Sequence, residues 1–422
     1  MQFDFYRRRL IVFPINFMKI VRIIARLNVG GPARHVVWLT KELSGDGEFE
    51  SVLIAGTIPE GEEDMSYFAA ENRVEPIFIK EMSRELSPKD IVSLWKVYRR
   101  IAVEQPDIIH THTAKAGTVG RAAAFLYRWL NWKPVKIVHT FHGHIFHSYY
   151  GNLKTKIFIF IEKALALLAT DKIIVITNQQ FDEIHRQFGI GNARQFQIIP
   201  LGLDLEPFQA PQSKRPLLRG EINSADNQIL VGLVGRLTEI KNISLFLQVA
   251  ETYQNQKNAD SPKLKFVIIG DGNLRGELEA EAARRGLNRE TIEFLGNRSD
   301  TDVFYAGLDI VALTSLNEGT PLSLIEAMAN AKPVISTAVG GVVDLVGAEK
   351  LTAENFTICE RGVKISINAT AEDFYKGLIY LAKNETLRKS LAVAGKEFVE
   401  AKYAKSRLVE DIKNLYRSLI NN

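Results

Sequence analysis

The residues in this chain best able to do chemistry are two carboxylates and two cations placed just after apolar runs. Glu318 and Glu326 stand eight positions apart in Thr314-Ser-Leu-Asn-Glu318-Gly319-Thr320-Pro321-Leu322-Ser-Leu-Ile-Glu326. Thr320 suits a helix N-cap and Pro321 a first helical position, so a strand at 310–313 should end, a short loop should carry Glu318 and a helix should begin. The backbone from Gly319 to Leu322 would then offer an anion site at a helix mouth. Glu326, set beside Leu324, Ile325, Ala327 and Met328, could accept both hydroxyls of a ribose, or it could be a plain surface residue. Upstream, Gly235-Arg236 and Lys241 follow an apolar run at 230–234. Arg can grip a diphosphate as a fork and Lys as a point charge; alone, the pair also fits a solvated basic loop. Gly270-Asp-Gly272 starts like a dinucleotide fingerprint, but the next glycine, Gly276, comes one residue late. A second glycine turn, Gly340-Gly341, could lie beside the same pocket.

The first half carries histidines. Six of the eight follow two strands: His110 and His112, then His139, His142, His144 and His147. Strand alternation turns His110 and His112 to one face and leaves His139 at a different strand end. A zinc cluster is one reading, since imidazole suits zinc, but no carboxylate completes it in sequence; a polar cleft lining is the other. Lys115 and Arg121 flank the helix start at Gly117 and could hold an acceptor phosphate, or be a surface pair. Gly30-Gly31 before a helix allows close backbone approach to a phosphate or sugar, or simply a turn.

These residues need elements to hold them. Eleven short apolar runs alternate with stretches of helical period, the pattern of parallel sheets with helices on both faces. The polar segment 209–216 has linker composition and splits the chain nearly in half. The expectation is an extension at 1–17, one Rossmann-like domain over 18–208, a second over 209–404, and a C-terminal helix near 405–422 that returns to the first. In open parallel sheets ligands sit beyond the carboxyl ends of the strands, where these residues lie.

The chain resembles the retaining GT-B glycosyltransferases of family 4 from about Met18 onward. The resemblance rests on the Glu318…Glu326 spacing, on Gly235-Arg236…Lys241, on Gly270-Asp-Gly272 and on Ile199-Pro-Leu-Gly202-Leu-Asp204. It departs at Asn242, where glycine is usual, and at Leu201, where asparagine is commoner. It implies two doubly wound parallel-sheet domains around a cleft, and transfer of a sugar from a nucleotide-diphosphate-sugar with retention of configuration, the leaving phosphate taking the acceptor proton. It implies that Arg236 and Lys241 hold the diphosphate, that Glu318 contacts the donor sugar and Glu326 the ribose, that Gly30-Gly31 face the donor, and that His142 stands beside the transferred sugar. His112, Lys115 and His144 complete the acceptor side, and the phosphate that Lys115 and Arg121 could hold would be that of a polyisoprenyl diphosphate lipid. No metal or cofactor is expected; Asp300-Thr-Asp302 reads as a helix cap rather than a metal-binding DxD.

Bulk properties narrow the rest. One cysteine, Cys359, excludes an internal disulfide and a Cys-based zinc site and suits a reducing, cytoplasmic setting. The net charge of +4 is too small to argue for nucleic acid. Residues 1–200 hold 26 Lys and Arg against 20 Asp and Glu, which would suit an anionic membrane face. No apolar run reaches the roughly 20 residues that span a bilayer. The helix at 153–170 reads as a buried core helix, and 1–17 as a start-site artefact or interfacial anchor. A UDP-sugar 2-epimerase of the same fold and a non-catalytic nucleotide-sugar-binding protein are the competing readings.

Overall fold

The computed structural model describes residues 17–421 apart from 29, 46, 59–63, 83–88, 143–151 and 210. The 1–17 extension therefore lies almost wholly outside the described residues. The chain forms two compact units, one of 1–176, 180–199 and 409–422, the other of 177–179 and 200–408.

The first unit is built on a seven-stranded parallel sheet. In chain order its strands are β1 (Met18–Ile24), β2 (Phe49–Gly56), β3 (Ile77–Ile79), β4 (Ile108–His112), β5 (Lys136–Thr140), β6 (Lys172–Val175) and β7 (Phe196–Ile198). They lie in the order β3-β2-β1-β4-β5-β6-β7. Alternate residues of each strand feed opposite faces. Val21, Ile23, Ile109 and Ile137 join one core, and Ile24, Leu53 and Ala55 another. Among the helices that accompany the strands are α1 (Gly31–Ser44), α2 (Ser66–Glu71), α3 (Lys89–Glu104), α4 (Ala114–Asn131) and α5 (Asn152–Leu168), and most of the C-terminal helix Lys405–Ile420 also belongs to this unit. The registers Ile24↔His112 and His112↔Thr140 align the carboxyl ends of β1, β4 and β5 in one row.

The second unit holds an eight-stranded sheet in the order β10-β9-β8-β11-β12-β15-β14-β13. Its strands are β8 (Ile229–Val234), β9 (Leu264–Ile269), β10 (Ile292–Gly296), β11 (Ile310–Leu313), β12 (Val334–Thr337), β13 (Glu349–Thr352), β14 (Thr357–Cys359) and β15 (Val363–Ile365). β14 runs antiparallel to both its neighbours. The sequence reading missed β3 and β13–β15. Each is only three or four residues long, and β13 (Glu-Lys-Leu-Thr) is exposed throughout, so no apolar alternation marks it.

Three further expectations are corrected. The 209–216 segment is not an irregular linker: Pro211–Glu221 is helical despite Pro216. Tertiary ion pairs override composition there, Lys214 with Asp302, and Arg215 and Arg219 with Asp309. The division between units falls at 199/200 instead. Arg121 is no anion holder. Fully buried, it donates to Glu162 Oε2 at 2.6 Å and to the Gly117 carbonyl, tying α4 to α5. Finally, α5 is not a wholly buried helix: Glu162 and Ala166 face inward, while Ile157, Phe160, Leu167 and Leu168 are exposed.

Removing one partner of a buried ion pair leaves an uncompensated charge. Glu162→Ala should lower unfolding stability by about 3–5 kcal/mol, measured by denaturant titration; a loss below about 1 kcal/mol would mean that Arg121 finds other compensation.

Candidate active site

In the second unit, the turn after β8 and the loop after β11 are stitched together. Leu316 N–H donates to the Ile240 carbonyl at 2.8 Å, and Thr314 Oγ1 to the Lys241 carbonyl at 2.9 Å. The adjacency follows from β8 and β11 being neighbours in the sheet. It brings Lys241 Nζ to 2.5 Å from Glu318 Oε1, which also accepts from Ser315 Oγ at 2.6 Å. Arg236 stands exposed at the end of β8. A half-buried carboxylate thus holds one cation in place while a second remains open to an anion.

The glycines have steric reasons. A Cβ on Gly270 would lie 2.0 Å from the Gly235 carbonyl oxygen, and one on Gly272 would lie 2.4 Å from that of Leu237. The two turns cross too closely for side chains, which explains Gly270 and Gly272 without a ligand. Gly340, at φ +47°, and Gly341 press likewise on the carbonyls of Glu318 and Gly319, at 1.8 and 1.9 Å from a built Cβ. They fix the loop that carries Glu318.

The helix that follows runs Leu322–Ala329 and its N-cap is Pro321, with no side-chain cap bond. This corrects the expected cap at Thr320: Pro321 is extended (ψ 94°), so the helix starts one residue later and the Thr320 hydroxyl caps nothing. Thr320 Oγ1 is instead a buried oxygen with no partner among the described residues. Glu326 is half-buried and accepts from the Tyr305 hydroxyl at 3.1 Å. Burial and the Glu326 charge hold the Tyr305 phenol well above its usual range, so it remains a donor. Sequence reasoning missed Tyr305; nothing in its spacing links it to Glu326.

In the first unit, a row of imidazoles follows β4 and β5. His110 and His112 share a face, as alternation requires, with ring centroids 4.1 Å apart. His112 Nδ1 lies 3.0 Å from His142 Nε2. His35, on α1, packs edge-on to His142 at 4.8 Å; the reading missed it, although its place four residues after Gly31 puts it on the helix's first turns. His139 points to the other face, against Gly117, and bonds Thr111 Oγ1 at 2.8 Å. Lys115 is buried and ion-paired with Asp90, so its charge is already balanced rather than open to an acceptor phosphate. Gly30 caps α1, and Gly31 is its first residue. His144 and His147 lie outside the described residues.

A hydrogen-bond chain sets the row. Arg22 Nη2 donates to Tyr416 Oη at 3.1 Å, and the same hydroxyl shares a hydrogen bond of 2.6 Å with His110 Nδ1. His110 Nε2 bonds Thr140 Oγ1 at 2.7 Å, so both ring nitrogens of His110 are engaged. Burial, reinforced by Arg22 and neighbouring imidazoles, holds His110 and His112 well below the usual imidazole range, and burial alone brings His142 to about 4. These rings are neutral at pH 7, and His112 and His142, which bond each other through one nitrogen apiece, each keep a second ring nitrogen with no partner among the described residues. His35, His112 and His142 also present nitrogens within 4.8 Å of one another, the group among the described residues that could share a divalent cation. The fixed charge that bears on His112 is the Arg22 guanidinium, which opposes a cation.

Comparison with known proteins agrees with this architecture. The crystal structure of Anabaena Alr3699/HepE in complex with UDP superposes with a TM-score of 0.75 at 18% identity, covering 95% of this chain and 100% of that one. The fold is the GT-B fold of glycosyltransferases. Residues 214–398 match the pattern described as Glycosyl transferases group 1, and residues 29–207 that of Glycosyltransferase Family 4. A UDP-Gal:alpha-D-GlcNAc-diphosphoundecaprenol alpha-1,3-galactosyltransferase of Escherichia coli is 30% identical over 275 residues, 64% of this chain and 68% of the relative. The capsular polysaccharide biosynthesis glycosyltransferase CapM of Staphylococcus aureus is 25% identical over 337 residues, 78% of this chain and 82% of the relative. The chain belongs to the group 1, family 4 glycosyltransferases.

The neutral histidines carry a pH signature. The unfolded chain takes up protons at imidazoles below about pH 6.5, whereas His142 in the folded protein resists them down to about 4. In that window the unfolded state binds more protons, so stability rises with pH. The thermal midpoint should hold above about pH 6.5 and drop by roughly 5–10 °C on acidification to pH 5; a flat profile would mean that the rings are protonated in the fold.

Proposed function

We propose that this glycosyltransferase moves a sugar from a nucleotide-diphosphate-sugar, a UDP-sugar in particular, to an acceptor in polysaccharide or glycolipid assembly, with retention of configuration and without a metal. The observation that carries the reading is the Lys241–Glu318 pair, held by Ser315 and by the stitched loops, with Arg236 open beside it. Leaving-group departure builds negative charge on the β-phosphate oxygen. Preorganised cations stabilise that charge at no reorganisation cost during the reaction, and two of them make a metal unnecessary.

In this reading the anomeric C–O bond to the β-phosphate breaks as the acceptor oxygen bonds the same carbon on the same face. The leaving phosphate takes the acceptor proton. Glu318 hydrogen-bonds the donor sugar, and Glu326, oriented by Tyr305, accepts from the ribose hydroxyls. The backbone of Gly319 to Leu322 and the unpaired Thr320 hydroxyl add polar contacts to the donor. On the acceptor side, His142 and His112 hydrogen-bond sugar hydroxyls as neutral rings, while Gly30 and Gly31 let the backbone approach the donor. The relatives support the substrate class. One is named for UDP-galactose and a diphosphoundecaprenol-linked acceptor, another for capsular polysaccharide, and HepE was solved with UDP.

UDP-sugars should raise the thermal midpoint more than GDP- or ADP-sugars. Lys241→Ala or Glu318→Gln should cut turnover roughly 100-fold or more with the fold intact, and EDTA should leave the rate unchanged. Near-full activity in either variant defeats the assignment. Conversion of UDP-N-acetylglucosamine to an epimer with no acceptor present would make the enzyme a 2-epimerase instead.

A further inference from the structure

The outer layer of the first unit presents apolar side chains that no part of the described chain covers. Three of the four tryptophans lie there. Trp95 is on α3, Trp129 on α4, and Trp132, 90% exposed, caps the end of α4. Phe160 and Leu167 on α5 are 72% and 81% exposed. The three helices are contiguous: Asn131 Nδ2 bonds the Tyr98 hydroxyl at 3.3 Å between α4 and α3, and Arg121–Glu162 joins α4 to α5. A face of this size and aromatic content marks an interaction surface.

Charge decides the partner. α3, α4 and α5 carry ten Lys and Arg against three Asp and Glu. Two of those acids, Asp90 and Glu162, are taken up by Lys115 and Arg121. Arg99, Lys133, Lys156 and Lys163 remain exposed among the apolar residues. A second copy docking through the same face would set these cations against one another, since a two-fold interface is self-complementary. Exposed tryptophans interleaved with Lys and Arg instead match a bilayer interface, where the rings sit at headgroup level and the cations meet anionic lipid. Among the described residues no helix is long and apolar enough to cross a membrane.

We propose that the α3–α4–α5 face docks the protein flat on an anionic phospholipid bilayer. The proposal stands apart from the acceptor's identity, and its test needs neither donor nor acceptor. The full chain is sedimented with vesicles of phosphatidylglycerol and phosphatidylcholine, or of phosphatidylcholine alone, and tryptophan emission is read against vesicles with brominated acyl chains. Binding should be at least tenfold tighter on the anionic vesicles and weaken as salt rises. The brominated chains should quench the emission of the unaltered protein. The double variant Trp129→Ser/Trp132→Ser should bind roughly tenfold more weakly with an unchanged thermal midpoint. Absence of binding to anionic vesicles overturns the proposal, and so does binding with unquenched tryptophans, which would place another surface on the lipid. A vesicle-free dimer that the double variant converts to monomer would assign the face to a second copy.

Discussion

A guanidinium buried in the middle of a β-strand constrains much of the first unit. Arg22 sits on β1 with no exposure to solvent, and burial pulls its affinity for protons downward. A buried charge must find partners. Arg22 finds Ser51 on β2 and the hydroxyl of Tyr416. Tyr416 lies on the helix Lys405–Ile420, so the end of the chain is bound to its first strand, an attachment strengthened by Arg417 with Glu48. The same Tyr416 hydroxyl bonds His110, so the buried guanidinium, the C-terminal helix and the imidazole row form one connected network.

The two units solve opposite electrostatic problems. The first keeps its polar row neutral: buried imidazoles bond hydroxyls, as His110 does with Tyr416 and Thr140, or each other, as His112 does with His142. Neutral rings hold hydroxyls without attracting counter-ions. The second sets opposite charges against each other, with Lys241 paired to Glu318. Its glycines serve this arrangement sterically, since β8, β9 and β11 lie side by side and their following turns nearly touch. A sugar and a diphosphate, one uncharged and one strongly anionic, would be met by surfaces of matching character.

The correction at Thr320 and the finding of Tyr305 have a common origin. A Thr-Pro pair ahead of an apolar run signals a helix start, yet Pro321 takes an extended conformation and leaves the threonine hydroxyl uncapped and buried. Tyr305 reaches Glu326 from the neighbouring helix Thr301–Gly307, twenty-one residues upstream. Local preference sets which residues can begin a helix; packing against the rest of the unit sets where it does.

By itself the sequence determined the alternation of strands and helices, the two sheets of parallel type, and the chemistry clustered at strand ends, because apolar periodicity and glycine turns are local properties. It also determined that His110 and His112 face one way, since side chains alternate along any strand. Only the tertiary structure decided which charges remained available. Arg121 and Lys115 looked like anion holders until Glu162 and Asp90, distant in sequence, were seen to neutralise them. The same held for His35, Tyr305 and Tyr416, whose partners come from other elements, and for the exposed face of α5. Burial and ion pairing depend on what the rest of the chain brings alongside, and no local pattern carries that information.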